Sequence, residues 1–164
     1  MSSAPPPVDF IEVTRKTYDA LGYPTYRWVH SEAPPPFLRP HKPLAESRIV
    51  LIASGGIYVS GQIAFHFKDD ISFHLIPTDV ATERLRATHF AYDLSDARRD
   101  PNVVFPIDTL RRMAATGEIG GLTANAITFM GGIYSSRRVR EKLAPAIARA
   151  VAEERADLAL LVPV

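Results

Sequence analysis

The sequence predicts an α/β protein with a mainly parallel, doubly wound (Rossmann-like) sheet, preceded by a proline-rich aromatic N-terminal arm. From Arg48 onward, short apolar runs do not alternate with polar residues, which is typical of strands buried on both faces of a parallel sheet. Helical patterns separate these runs, so right-handed crossovers are expected. Nine of the 14 prolines lie before Leu44. Because proline fixes φ and lacks an N–H, that part cannot be mostly regular structure.

Two parts of unequal length are therefore expected, an arm over residues 1–47 and an α/β domain over 48–164 that is incomplete at its C-terminus. In the arm, Val8 to Leu21 has apolar residues at helical spacing, and Gly22 ends the predicted helix. Four aromatic residues follow: Tyr23, Tyr26, Trp28 and Phe37. Such an arm either covers its own domain or clasps a second subunit, and the sequence leaves both readings open.

Four apolar runs predict the strands of the sheet: Arg48–Ala53, Ser72–Ile76, Ala126–Met130 and Leu158–Val162. Between the second and third strands, Thr78 and Asp79 predict the start of a helix over Val80–Thr88 with Leu85 on its buried face.

Two further helices are predicted in the domain. One starts at Pro106, which suits a first helical position, and ends at Gly117. The other is capped by Ser136 and should be kinked or split at Pro145.

Composition excludes several functions. Lys and Arg number 19 and Asp and Glu 18, so the formal charge of +1 gives no argument for binding nucleic acid or a membrane. The sequence has no cysteine, hence no disulfide, thiolate metal site or thiol nucleophile within these residues. The N-terminus lacks the features of a signal peptide, and no apolar stretch is long enough to span a membrane. A cytoplasmic location is expected.

Two glycine pairs follow predicted strands. Gly55 and Gly56 come after the first strand, and Gly131 and Gly132 come after Met130 at the end of the third. The first pair lacks the spaced third glycine of a dinucleotide fingerprint and the lysine of a phosphate loop. Tight turns alone would explain both pairs. Because open α/β sheets bind ligands beyond the carboxyl ends of their strands, we instead expect the two turns to share one crevice.

Histidines 66, 74 and 89 do not have the spacing of metal ligands, so no metal site is expected. His89 is the one of interest, because Asp93 lies four residues on and could orient it if the segment were helical. A solvated acidic loop is the alternative. The predicted substrate-binding residues are Gly55, Gly56, His89, Asp93, Met130 and Gly131, and no residue of the chain is assigned a catalytic role.

Eight segments together resemble one known family: Lys42-Pro-Leu-Ala-Glu-Ser-Arg48, Ala53-Ser-Gly-Gly56, Ile76-Pro-Thr-Asp79, Thr88-His-Phe-Ala-Tyr-Asp93, Asp100-Pro-Asn-Val-Val-Phe-Pro106, Gly117-Glu-Ile-Gly120, Thr128-Phe-Met-Gly-Gly132 and Leu160-Leu-Val-Pro-Val164. They resemble the selenoprotein B component of the glycine/sarcosine/betaine reductases, a group that includes D-proline reductase. The resemblance covers nearly everything after the arm.

The resemblance implies an oxidoreductase that cleaves a C–N bond of a small amino acid or betaine-like amine by reduction. In that family a selenocysteine or cysteine nucleophile follows the last predicted strand, which places it after Val164. The resemblance also implies a pyruvoyl-containing partner subunit and a thioredoxin-like reductant. We expect a homodimer or larger homo-oligomer, no cofactor in this chain, and no reductase activity from these 164 residues alone.

Three explanations for the end of the sequence stay open. The codon after Val164 is UGA, read as selenocysteine in the family; or the chain was shortened for another reason; or the short form is a natural, non-catalytic domain. The competing function is therefore a small-ligand-binding or oligomerisation module. The sequence does not specify the substrate.

Overall fold

The computed structural model describes residues 9–164, and the described residues divide into two units between Phe37 and Leu38. Val8, where the first predicted helix starts, lies outside the described residues, as does the Pro5–Pro7 run. The division at residue 47 that the sequence suggests stays a prediction.

The first unit contains one helix, α1 (Phe10–Ala20). It begins where the Asp9 side chain accepts a hydrogen bond from the Glu12 amide, an N-cap interaction. It ends before Gly22, whose φ of +71° suits glycine. Residues 23–43 contain no helix or strand. Within this unit, four aromatic rings pack edge-to-face on one another: Tyr18, Tyr23, Tyr26 and Trp28.

The second unit is a mixed α/β structure. Its strands are β1 (Arg48–Ala53), β2 (Ile57–Val59), β3 (Phe73–Pro77), β4 (Leu85–Ala87), β5 (Gly121–Leu122), β6 (Asn125–Phe129) and β7 (Leu158–Val162). Its α-helices are α2 (Ser95–Arg99), α3 (Ile107–Ala115), α4 (Ser136–Arg138) and α5 (Ala144–Glu153). All four predicted strands are confirmed to within a residue or two. No helix in residues 9–164 has the length and apolar character needed to cross a membrane.

Strand β1 organises a five-stranded sheet. It pairs in parallel with β5 and β6 on one side and, from Ile49 to Ala53, with β7 on the other. The exception is β3, which runs antiparallel to β6, so the sheet is mostly parallel. Strands β2 and β4 form a separate antiparallel pair. The predicted α/β class with a mainly parallel sheet is therefore confirmed, whereas its doubly wound, Rossmann-like winding stays a prediction.

Both faces of β1 are buried, which explains its uninterrupted apolar sequence. Ile49, Leu51 and Ala53 belong to the larger core, together with Leu110 of α3. Val50 and Ile52 face a smaller core, against which Ile147 and Val151 of α5 pack.

The helix predicted over Val80–Thr88 is wrong. A short 3-10 turn at Thr82–Arg84 leads into β4, in which Leu85 and Ala87 are buried and Arg86 is exposed. This alternation has the period of a strand. Leu85 faces inward as predicted, but pairing with β2 decides its secondary structure, because three residues are too few for periodicity to distinguish a helix from a strand.

The predicted helix beginning at Pro106 is confirmed as α3, with Pro106 at the N-cap position. In the following helical segment, Ser135 rather than Ser136 accepts the capping bond, from the amide of Arg138. The predicted disruption near Pro145 takes the form of a π-helical turn over Val139–Leu143 that joins α4 to α5. A π turn supplies an extra residue, which helps place the proline near the start of α5 rather than in its interior.

Candidate functional site

Strands β1 and β6 run in parallel and end side by side, and the two glycine turns that follow them meet there. Gly55 forms an antiparallel bridge with Met130. The amide of Gly131 donates to the carbonyl of Ser54 (2.9 Å), and the amide of Gly56 donates to the carbonyl of Phe129 (3.1 Å). The structure thus brings together four of the residues predicted to line a site: Gly55, Gly56, Met130 and Gly131.

Gly56 allows a third segment, which contains Thr88 and His89, to lie against the two glycine turns. Its φ is +68°, and a Cβ at this position would lie 1.9 Å from the carbonyl oxygen of Thr88. The Thr88 amide in turn donates to the Gly56 carbonyl at 3.0 Å. Only glycine permits this approach of two backbones, and the approach carries the residue after Thr88, His89, onto the glycine turns.

His89 is a buried histidine with only 4% of its surface exposed. Its Nδ1 accepts a hydrogen bond from the amide of Ala91 (3.0 Å), so in the neutral ring the proton is assigned to Nε2. This Nε2 is buried and has no hydrogen-bond partner among the described residues. A Cβ added to Gly131 would lie 3.4 Å from it.

Asp93 does not orient His89, because the segment from Thr88 to Leu94 is not helical. Its carboxylate instead accepts from the amide of Ser95 (2.9 Å), beside the start of α2. Hydrogen bonding from the side chain of Ser95, and then from its amide, lowers the pKa of Asp93 below its ordinary value. The structure therefore groups five of the six predicted residues and leaves Asp93 exposed in the neighbouring loop.

Three aromatic residues at this site were missed by the sequence analysis. The hydroxyl of Tyr92 donates to the Gly55 carbonyl at 2.8 Å. The ring of Phe90 stacks on His89 with centroids 5.5 Å apart, and Tyr134 stacks on Phe90 at 6.5 Å. Phe90 and Tyr92 closely follow His89 in the sequence, which is a signal that could have drawn attention to them. Nothing in the sequence pattern links Tyr134 to them.

Ser54 and Val164 complete the surroundings. The amide of Val164 donates to Ser54 Oγ at 2.9 Å, and a Cβ on Gly55 would lie 3.4 Å from a methyl group of Val164. A mostly apolar cavity of about 160 Å³ adjoins Ser54 and is also lined by Phe129 and Pro163. Thr128 Oγ1, on the same end of β6, is a second buried polar atom without a partner among residues 9–164.

A larger cavity lies elsewhere. It measures about 540 Å³, and its polar lining includes Arg86, Arg98, Asp108 and Arg111 but none of the predicted site residues. Arg111 is occupied by Asp108 and by two backbone carbonyls. This cavity therefore does not carry the site predicted from the glycine turns.

Burial shifts the pKa values of two side chains at the site, His89 and Tyr92. It lowers the pKa of the His89 imidazole, because a charged ring would lose its hydration. It raises the pKa of the Tyr92 hydroxyl, an effect that the positive charge of Arg98 partly opposes. Both groups are therefore held neutral, and both present an N–H or O–H donor.

The lowered pKa of His89 predicts a pH dependence of stability. The unfolded chain protonates this histidine near pH 6.5, whereas the folded chain resists protonation until a lower pH. The free energy of unfolding should therefore be unaffected by His89 above that pH and should fall as the pH drops below it. Urea unfolding between pH 5 and 8 measures the slope. His89→Phe should flatten it, and an unchanged slope in that variant would contradict the assignment.

The chain was compared with known protein families, curated proteins and solved structures. The model of the glycine/sarcosine/betaine reductase selenoprotein B family matches residues 29–163. D-proline reductase subunit gamma of Acetoanaerobium sticklandii is 35% identical over 129 residues, which are 78% of this chain and 53% of that protein. No solved structure matches the chain.

The chain thus belongs to the glycine/sarcosine/betaine reductase selenoprotein B family, which confirms the resemblance drawn from its sequence motifs. It spans about half the length of the curated relative that it matches.

Proposed function

We propose that this chain supplies the scaffold of a selenoprotein B-like subunit in a reductase of the glycine/sarcosine/betaine/D-proline type. Such an enzyme cleaves a C–N bond of a small amino acid or betaine-like amine. Two findings support the proposal: family membership, and the match to a D-proline reductase subunit. The main structural support is that two glycine turns, Ser54 and the buried His89 lie together at the carboxyl ends of β1 and β6. Open α/β sheets bind ligands at this position.

In this proposal the nucleophile is a selenolate or thiolate that attacks the carbon α to the substrate carboxylate and expels the amine. The 164 residues contain no cysteine, so the nucleophile comes from outside them. We place it in a segment following Val164, because the Val164 amide is bound to Ser54 beside the glycine turns. The attack forms a selenoether or thioether as the C–N bond breaks. A thiol of a thioredoxin-like dithiol would then attack that selenium or sulfur atom, so that the product carbon leaves and takes up a proton, and the second thiol would reduce the resulting mixed selenenyl sulfide or disulfide. Ser54 would be a poor substitute for this nucleophile, since its hydroxyl is far less acidic than a selenol or thiol.

The partners implied for this function are a pyruvoyl-containing subunit, which would hold an amine substrate as a Schiff base, and the dithiol reductant. A homo-oligomer also stays a prediction. One observation favours the second candidate function, an assembly module. Strand β7 has no neighbour on its outer side among residues 9–164, and Leu161 on it is 66% exposed. Such an edge can pair with another strand.

The test compares two proteins, the 164-residue chain and a version extended past Val164 by a family segment carrying cysteine or selenocysteine. Each is assayed with glycine, sarcosine, betaine and D-proline as substrates, in the presence of dithiothreitol and a pyruvoyl-containing partner subunit of the family. We expect amine release, or ring opening of D-proline, only from the extended protein, because only it holds a nucleophile that ionises near neutral pH. A matched extension with serine in place of cysteine is the control. Turnover by the 164-residue chain, or none by the extended one, would refute the proposal.

A further inference from the structure

We propose that Ser54 is a positioning residue: it fixes the backbone where the chain leaves β7, and it donates its hydroxyl proton to the side chain of the residue that follows Val164. The inference rests on the proposed function for the identity of that residue, a selenocysteine or cysteine. It adds a residue of this chain that holds the nucleophile and favours its ionised form. Two hydrogen bonds, a hydroxyl proton without an acceptor and the space beside the hydroxyl support it.

Ser54 is bonded to the end of β7 at two points. Its amide donates to the Val162 carbonyl at 3.1 Å, and its Oγ accepts from the Val164 amide at 2.9 Å. Pro163 lies between these two residues, and its ring fixes φ. We call these two bonds the Ser54 clamp. Because the clamp holds the residues on both sides of a proline, it sets the direction in which the backbone leaves β7.

Gly55 lets Val164 pack against the glycine turn. A Cβ at Gly55 would lie 3.4 Å from a methyl group of Val164 and 3.0 Å from Val104 Cβ. The φ of Gly55 does not lie in the left-handed region, so backbone conformation alone does not demand glycine here. The absent side chain therefore leaves room for Val164. A residue attached after Val164 would start beside Ser54, at the carboxyl ends of β1 and β6.

The hydroxyl proton of Ser54 is available to that residue. A serine hydroxyl can accept and donate at once. In Ser54 the oxygen accepts from Val164, while the proton has no acceptor among residues 9–164. Ser54 is half-buried, and the mostly apolar cavity of about 160 Å³ adjoins it. A hydrogen bond to the ionised form of a thiol or selenol lowers its pKa, so this donor favours the nucleophilic form.

Nearby charges do not supply this effect. None of the side chains that line the cavity is titratable. The titratable groups packed against the glycine turns, His89 and Tyr92, are held neutral by burial. Apolar walls exclude water, so the cavity on its own would raise the pKa of a thiol placed there. The Ser54 hydroxyl is therefore the group that offsets the loss of hydration.

The test appends a cysteine directly after Val164, followed by three glycines, to a chain that has no cysteine of its own. The rate at which iodoacetamide alkylates this single thiol is measured from about pH 6 to about pH 11. Ser54→Ala should reduce the rate at pH 7 by about threefold to tenfold, since less of the thiol is ionised without the donor. Above about pH 10 the rates should converge, because the thiol is then ionised in both proteins. A merely structural role of Ser54 would not produce this convergence.

A matched control carries the cysteine after the three glycines, three residues past the position that the Ser54 clamp fixes. There Ser54→Ala should leave the alkylation rate unchanged at every pH. The clamp itself is measured by amide hydrogen exchange at Val164, which Ser54→Ala should speed by about tenfold. Ser54→Thr keeps the hydroxyl and Ser54→Val does not, although the two side chains have nearly the same shape. Only the threonine variant should retain the rate at pH 7, and this pair replaces Ser54→Ala if that variant does not fold.

The inference is overturned if Ser54→Ala leaves the rate at pH 7 unchanged, if it slows both cysteine positions equally, or if the difference persists above about pH 10. Equal exchange of the Val164 amide with and without the hydroxyl would also overturn it. In the extended protein, Ser54→Ala should lower kcat at pH 7 by about threefold to tenfold and change KM little, because the hydroxyl acts on the nucleophile. The thiol measurements need no substrate, so a failure of turnover in the extended protein would remove the proposed function and leave this result standing.

Discussion

Gly56→Ala is expected to destabilise the fold by more than about 4 kcal/mol, the range reached only by severe mechanisms. The left-handed conformation of Gly56 would alone cost alanine about 1–2 kcal/mol. The larger part comes from the Thr88 carbonyl oxygen, 1.9 Å from the added Cβ. The backbone cannot yield easily, because Gly56 is hydrogen-bonded both to Phe129 and to Thr88. Urea unfolding followed by circular dichroism measures the change.

Gly117→Ala is the matched control for this variant. Gly117 has a similar φ of +76°, but nothing lies within 4 Å of the position of its Cβ. The substitution should cost only the conformational strain, about 1–2 kcal/mol. Equal destabilisation by the two substitutions would show that the close approach of Gly56 to Thr88 does not stabilise the fold. It would also contradict the role given to this approach in placing His89 beside the glycine turns.

Arg111→Ala is expected to lower the free energy of unfolding by about 2–4 kcal/mol, because it removes the donor to two backbone carbonyls and one of the donors to the Asp108 carboxylate, which also accepts from Thr82 and Asn102. Arg111 Nε donates to the Thr78 carbonyl (2.7 Å), Nη2 to the Val80 carbonyl (2.6 Å) and Nη1 to the Asp108 carboxylate (2.7 Å). These bonds hold the turn that leads from β3 into β4. The variant should therefore also speed amide hydrogen exchange at Thr88, which follows β4.

Arg112→Ala controls for the loss of a positive charge on α3. Arg112 is exposed, and its side chain bonds only to the hydroxyl of Thr109 among the described residues. The expected loss is within about 0.5 kcal/mol. If the two arginine variants unfold at the same urea concentration, the three bonds made by Arg111 do not stabilise the turn.

Much of this protein was determined by sequence alone. The apolar runs located all four predicted strands. Burial explains the apolar sequences of β1 and β6, whereas β3 and β7 are apolar although much of their surface is exposed. The positions of the glycine turns were evident because they follow those strands directly. The family was evident from the combination of short motifs, and the comparisons confirm it.

Only the tertiary structure decided strand direction and the partners of the site residues. An apolar run fixes that a segment is buried, but pairing with a distant strand fixes its direction, so β3 lies antiparallel to β6 without any local sign of it. The same reason explains β4, which forms a strand instead of the predicted helix because it pairs with β2. Asp93 was close enough in sequence to orient His89, yet the irregular backbone gives that role to the Ala91 amide. The unpartnered Nε2 of His89, the close approach of Gly131 to it and the stacking of Tyr134 on Phe90 arise from segments far apart in the chain, and only folding brings them together.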